Sequence, residues 1–103
     1  MKTNYTISQL LNTVDKTTLN NLKGMNDIIL CFKLERGEIR YFNYFTGLRD
    51  AITRLFIDED EYISRGTANC YIDDPNKLVN KKYIFLRVET IREEIYDTIK
   101  GEH

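Results

Sequence analysis

Very few side chains in this sequence could carry out a reaction. The one histidine is His103, the last residue, and the only serines are Ser8 and Ser64. Acid–base or nucleophilic catalysis needs groups of suitable pKa held close together, and here they are scattered. Cys31 and Cys70 stand alone, without metal-site spacing or a disulfide framework, and read as reduced, packed thiols. Asp58-Glu59-Asp60-Glu61 is the one carboxylate cluster. It lacks the glycine and the alternation of a calcium loop and reads as a solvated helix end. No glycine-rich phosphate loop, nucleophile elbow or zinc pattern occurs. The sequence therefore predicts a protein that is not an enzyme and holds no metal or cofactor.

Binding chemistry is better represented. Lys16, Thr17, Thr18, Asn20, Asn21 and Lys23 would form the exposed face of a short helix, and Lys, Thr and Asn can bond phosphates and base edges. Lys33, Arg36 and Arg40 decorate a first hairpin, and Asn76, Lys77, Asn80, Lys81 and Lys82 decorate the loop of a second. Each set also has the plain meaning of a solvated surface. Net charge is only −1, which speaks against a nucleic-acid partner, but the charge is unevenly spread. Residues 1–56 carry eight Lys/Arg against five Asp/Glu, and residues 57–103 carry seven against eleven. A basic first half could meet phosphates while an acidic second half faces solvent or a partner.

The elements that must position these residues follow from period and punctuation. Thr6 and Gln9 make a capping box, with Tyr5 and Leu10 placed to staple it. Ile7, Leu10, Leu11 and Val14 then fall on one helical face, which predicts a helix over 7–14. A second helix is expected from Lys16 to Lys23, with Leu19 and Leu22 inward and Gly24 as a left-handed cap. From Asp27 the period changes to two. Arg36-Gly37 is a two-residue hairpin turn that sets Leu34 against Ile39, Phe32 against Tyr41 and Ile28 against Phe45 on one face. The other face pairs Cys31 with Phe42 and Lys33 with Arg40. Two cations placed opposite each other repel, so either an anion lies between them or Glu35 and Glu38 neutralise them diagonally.

A third helix opens at Thr46 or Gly47, with Leu48, Ile52, Leu55 and Phe56 as its buried stripe and Arg49 and Arg54 outside. Asp58–Glu61 ends it or begins a short fourth helix. Strands are expected at about 68–72 and 82–88 around a turn marked by Pro75, and a last helix from Thr90 to Lys100. The fold class is thus α+β, one domain over 1–103: a small winged-helix-like domain with two antiparallel β-hairpins backed by amphipathic helices. The expected core comprises Leu10, Leu11, Leu30, Phe32, Tyr41, Leu48, Ile52, Leu55, Ile84, Leu86, Ile91 and Ile95. One domain suits 103 residues that are 42% hydrophobic and 12% aromatic.

Thr6-Ile7-Ser8-Gln9-Leu10-Leu11, Val14-Asp15-Lys16-Thr17-Thr18-Leu19 and Leu22 read as a compressed helix-turn-helix followed at once by a hairpin. In size and in helix-helix-hairpin order the whole chain resembles the small winged-helix relaxosome accessory proteins of conjugative plasmids (the TcpK type). The resemblance implies dimeric, sequence-specific binding of double-stranded DNA at origin-of-transfer repeats, and recruitment of a relaxase or other transfer protein. A homodimer is expected, with Ile91, Ile95, Tyr96 and Ile99 of the last helix as the contact. The rival class is a phage- or plasmid-encoded inhibitor of a host nuclease or defence enzyme. Asp58–Glu61, Asp73, Asp74, Glu93, Glu94 and Asp97 would then mimic a phosphate backbone, and a toxin-neutralising immunity protein belongs to the same class. No apolar run approaches the ~20 residues of a membrane span. The first residues lack the apolar stretch of a signal peptide, so the cytoplasm is the expected location.

Overall fold

The structure, a computed structural model, describes residues 5–101. His103 lies outside them. The capping box forms as the spacing requires: the Thr6 N–H donates to Gln9 Oε1 at 2.8 Å and the Gln9 N–H to Thr6 Oγ1 at 3.1 Å. The helix it starts, α1, covers Ile7–Leu11 and stops three residues before the expected end. Val14 is still buried, but from the turn that follows. Asp15 caps α2, Lys16–Leu22, by accepting from the Thr18 N–H at 2.7 Å. That bond holds its carboxyl below the usual range. Lys23 ends α2 in a right-handed conformation, and Gly24 does not take the left-handed cap expected of it.

β1, Ile29–Glu35, and β2, Glu38–Phe45, form the expected hairpin. Its turn takes positive φ at both Arg36 (53°) and Gly37 (80°), the backbone that matches strand twist in a two-residue loop. Leu34–Ile39, Lys33–Arg40 and Phe32–Tyr41 pair as expected. Beyond them a bulge inserts Phe42, so Cys31 meets Asn43 and Phe45 meets Ile29, not Ile28.

The second hairpin is replaced by other structure. Residues expected as a strand at 68–72 belong to a helix, α4, Arg65–Tyr71, started by the Ser64 hydroxyl. The strand expected at 82–88 is β3, Tyr83–Arg87, and it pairs antiparallel with β1. The sheet order is β2-β1-β3. Between the hairpin and α4 runs α3, Leu48–Glu59, and the chain closes with α5, Arg92–Lys100. Asp58–Glu61 ends α3 and starts no helix of its own, since Asp60 is left-handed and residues 61–64 are irregular. The class is α+β, with helices on both faces of one antiparallel sheet.

Both faces of the sheet are buried, so β1 reads as the apolar run Ile28-Ile29-Leu30-Cys31-Phe32 and does not alternate. Leu30, Phe32, Ile84 and Leu86 face α1, α2 and α5 through Leu10, Leu11, Leu19, Leu22, Ile91 and Ile95. Ile29, Cys31, Tyr83 and Phe85 face α3 and α4 through Ala51, Leu55 and Ala68. Of the expected core, Tyr41, Leu48 and Ile52 are only partly buried. Phe56, placed in the buried stripe of α3 by spacing, is 56% exposed. Cys70 is exposed rather than packed. Ile91 and Ile95 lie inside the core and Ile99 packs against it, so of the expected α5 dimer contact only Tyr96 remains at the surface.

Side chains and loops close both sheet edges, as native edges must be. On β2 the Tyr41 N–H donates to Thr13 Oγ1, the Tyr44 N–H to Asn43 Oδ1 and the adjoining Thr46 N–H to Asp50 Oδ2. On β3 the Asp73 N–H donates to the Phe85 carbonyl, the Arg87 N–H to Asp73 Oδ1 and the Val79 N–H to the Tyr83 carbonyl. Among the described residues no helix is long and apolar enough to cross a membrane.

Candidate nucleic-acid interface

α2 is short, so its position is fixed by packing rather than by propensity. Leu19 and Leu22 are buried toward α5 and the sheet, which leaves Lys16, Thr17, Asn20 and Asn21 exposed on the outer side. Thr18 and Lys23 are half-buried at the margins, Thr18 against its own cap and Lys23 with its ammonium 6.0 Å from the Tyr96 ring. Arg92, from α5, donates to the carbonyls of Lys23 at 2.8 Å and Met25 at 2.9 Å and so pins the segment leaving α2. Thr13, between α1 and α2, binds β2 through the Tyr41 N–H at 2.9 Å. Nothing in the sequence pattern marked Thr13 for this. The hydroxyl contributes because the turn delivers it to the outer edge of the hairpin.

The hairpin cations divide. Lys33 projects to the α3 side, where Nζ donates to Glu59 Oε1 at 2.6 Å, lies 3.6 Å from Glu35 and stands 5.2 Å from the Phe42 ring centre. The Glu59 bond, ahead of the cost of burial, raises its pKa. Arg40 pairs with Glu38 at 2.9 Å. The cation pair is therefore neutralised by its own acidic neighbours and by α3, with no need of an external anion. Arg36, at the tip, makes no ion pair with a described residue.

In the 73–82 loop Asn76 Oδ1 accepts from the Tyr5 N–H, and Lys77 lies 5.6 Å from the Tyr71 ring centre. Asn80 Nδ2 donates to the Tyr62 carbonyl at 2.8 Å, and Lys82 pairs with Glu61. The Lys82 bond is the chief reason the Glu61 carboxyl sits below its usual range. Lys81, at φ 59°, stays exposed without an ion pair to a described residue. This loop adjoins the hairpin, because the Leu34 N–H donates to the Lys82 carbonyl. The two basic sets thus share one end of the sheet, and α2 lies across the α1–α5 face. A depression of about 520 Å³ between the hairpin tip and α1 is lined by Tyr5, Thr13, Gly37, Arg40 and Tyr41.

Part of the acidic set is engaged in the same way. Asp58 lies 4.0 Å from Arg54, Glu59 holds Lys33, Glu61 holds Lys82, and Asp73 holds Arg87 at 2.8 Å. Cys31 is buried, and burial pushes its thiol up, away from a reactive thiolate. Among the described residues no group of three His, Cys, Asp or Glu is placed to hold a metal ion. The arrangement offers hydrogen-bond donors on α2, together with Lys16, Arg36 and Lys81, which make no ion pair with a described residue. Comparison with protein-family models, curated proteins and solved structures finds no match for this chain.

Proposed function

We propose that this chain is a duplex DNA-binding accessory protein of a mobile element. In this reading it acts without catalysis and as a homodimer on repeated sites, such as those of an origin of transfer. The carrying observation is α2: Lys16, Thr17, Asn20 and Asn21 share its exposed side, while Leu19, Leu22, Arg92 and Thr13 fix its orientation. Asn20 and Asn21 would read base edges, where an Asn amide matches adenine, and Lys16 and Thr17 would bond phosphates. Arg36 would reach the backbone from the hairpin tip, and Lys81 from the neighbouring loop. The rival inhibitor reading loses part of its acidic set, because Glu59, Glu61 and Asp73 are held by the chain's own cations, and keeps Asp60, Asp74, Glu93, Glu94 and Asp97.

Fluorescence anisotropy with the DNA flanking the gene, repeated over a range of salt concentrations, tests the reading. If only Lys16, Arg36 and Lys81 neutralise phosphates, log K should fall with log salt at a slope of about −3 per protomer, from roughly −0.9 per phosphate. If all eight cations foreseen from sequence took part, the slope would be about −7. The absence of salt-sensitive binding at micromolar protein would overturn the proposal and favour a protein partner.

A further inference from the structure

We propose that two copies of this chain pair through the outer face of α3, antiparallel and about a two-fold axis. Arg49, Thr53, Phe56, Ile57 and Asp60 are all exposed. At 3.6 residues per turn they fall within an arc of roughly 100°, a single stripe. Phe56 is 56% exposed and Ile57 68%, and Tyr62, just past the helix end, is 77% exposed. With side chains of about 200 Å² each, Phe56 and Ile57 together leave roughly 250 Å² of apolar surface on the stripe of one protomer.

Charge identifies the occupant as a second copy. The stripe begins with a cation, Arg49, and ends with an anion, Asp60, on either side of its apolar middle. An antiparallel copy sets Arg49 against the partner copy's acidic end and Thr53 beside its aromatic centre, twice over, as an isologous contact requires. At its C-terminal end α3 carries acids against its own dipole. The last turn holds Asp58 and Glu59 and no cation of its own; Arg54 and Lys33 pair with these two, so Asp60 is the acid left to a partner copy. An antiparallel neighbour brings the positive end of its helix, with Arg49, to that place. The inference rests on the homodimer of the proposed function and supplies its contact: α3 lies on the opposite face of the sheet from α2, so its use leaves that face open.

Sedimentation of the whole protein between about 5 and 500 μM is expected to show a concentration-dependent dimer. Ile57→Glu should weaken it at least tenfold, with an unchanged thermal midpoint at dilutions where both proteins are monomers, because the residue is exposed. Arg49→Glu and Asp60→Lys should each weaken it alone, and mixing the two should restore a heterodimer, because each supplies the charge the other lost. Monomer mass at every concentration would overturn the proposal. So would a dimer that Ile57→Glu leaves intact, or one that Tyr96→Glu disrupts instead. None of these measurements involves DNA, so they leave salt-sensitive binding to be judged by anisotropy alone, and only the homodimer is tested in both.

Discussion

Lys33 is the residue for which sequence and structure imply opposite experiments. As a wing cation it should bind DNA and be dispensable for folding; as the partner of Glu59 it should do the reverse. Lys33→Met keeps the apolar stem against Phe42 and removes only the ammonium. The side chains of Lys33 and Glu59 are 19% and 24% exposed, so water only partly replaces the lost partner. A hydrogen bond to a charged group is worth about 1.5–3 kcal/mol when buried, and an exposed pair about 0–1 kcal/mol. This intermediate site should therefore lose about 1–2 kcal/mol. For a domain of this size that is a fall of roughly 4–8 °C in midpoint per kcal/mol.

Urea unfolding at pH 7 should show the loss as a lower midpoint with unchanged slope. A cycle with Glu59→Gln should return a coupling of about 1 kcal/mol. Lys33 has a raised pKa in the folded state, so this stabilisation is complete below its unfolded value near 10.5 and disappears only as pH rises through the folded one. DNA affinity should change less than twofold. An unchanged urea midpoint together with weakened DNA binding would refute the assignment and restore Lys33 as a phosphate ligand.

The Tyr83 hydroxyl is buried with no hydrogen-bond partner among the described residues, so Tyr83→Phe should stabilise the fold by about 1 kcal/mol in thermal melts. Burial raises the Tyr83 pKa, so the wild type should lose stability as pH climbs above about 10, where the unfolded phenol ionises first, and the variant should lose less. Asp73→Ala removes acceptors for the Arg87 backbone N–H and side chain from a group 17% exposed, and places Ala at φ 67°. A loss of about 2–3 kcal/mol is expected in urea unfolding, partly recovered by Asp73→Asn, which tolerates that backbone and keeps an acceptor. Asn20→Ala and Asn21→Ala should leave folding unchanged but blur the preference between cognate and scrambled duplexes, by about 1–3 kcal/mol at a true base contact.

The elements with local signals were legible in the sequence. The Thr6/Gln9 box and the Arg36-Gly37 turn each determine a few residues of backbone by themselves, and both formed; the Asp15 cap of α2 was an equally local signal that went unread. α4 was misread because Ala68, Cys70 and Ile72 alternate like a strand, while the decisive signal was Ser64 capping Thr67. The two-sided core was missed although Ile28–Phe32 and Tyr83–Leu86 are continuous apolar runs, the pattern of strands covered on both faces. The bulge at Phe42 has no sequence mark. Charge pairing was least legible of all. Lys33 with Glu59, Lys82 with Glu61 and Arg87 with Asp73 join residues 26, 21 and 14 apart, so composition alone counted as available the cations that folding uses.

What survives for function is less a charged surface than a fixed relation between two elements. Thr13 Oγ1 donates to the Leu10 carbonyl at 2.7 Å and accepts from the Tyr41 N–H at 2.9 Å, tying the α1–α2 turn to the outer edge of the hairpin. α1 and α2 both pack on α5, and Arg92 of α5 holds the chain leaving α2. The exposed face of α2 and the outer strand of the hairpin are thereby tied to one another. Groups held this way meet a ligand without first being ordered, which lowers the entropic cost of contact. A chain with net charge −1 has little long-range attraction to DNA, so recognition would depend on such preorganised contacts and on their doubling in a dimer. Thr13 is thus as much a part of the proposed interface as any cation, although it would touch no DNA.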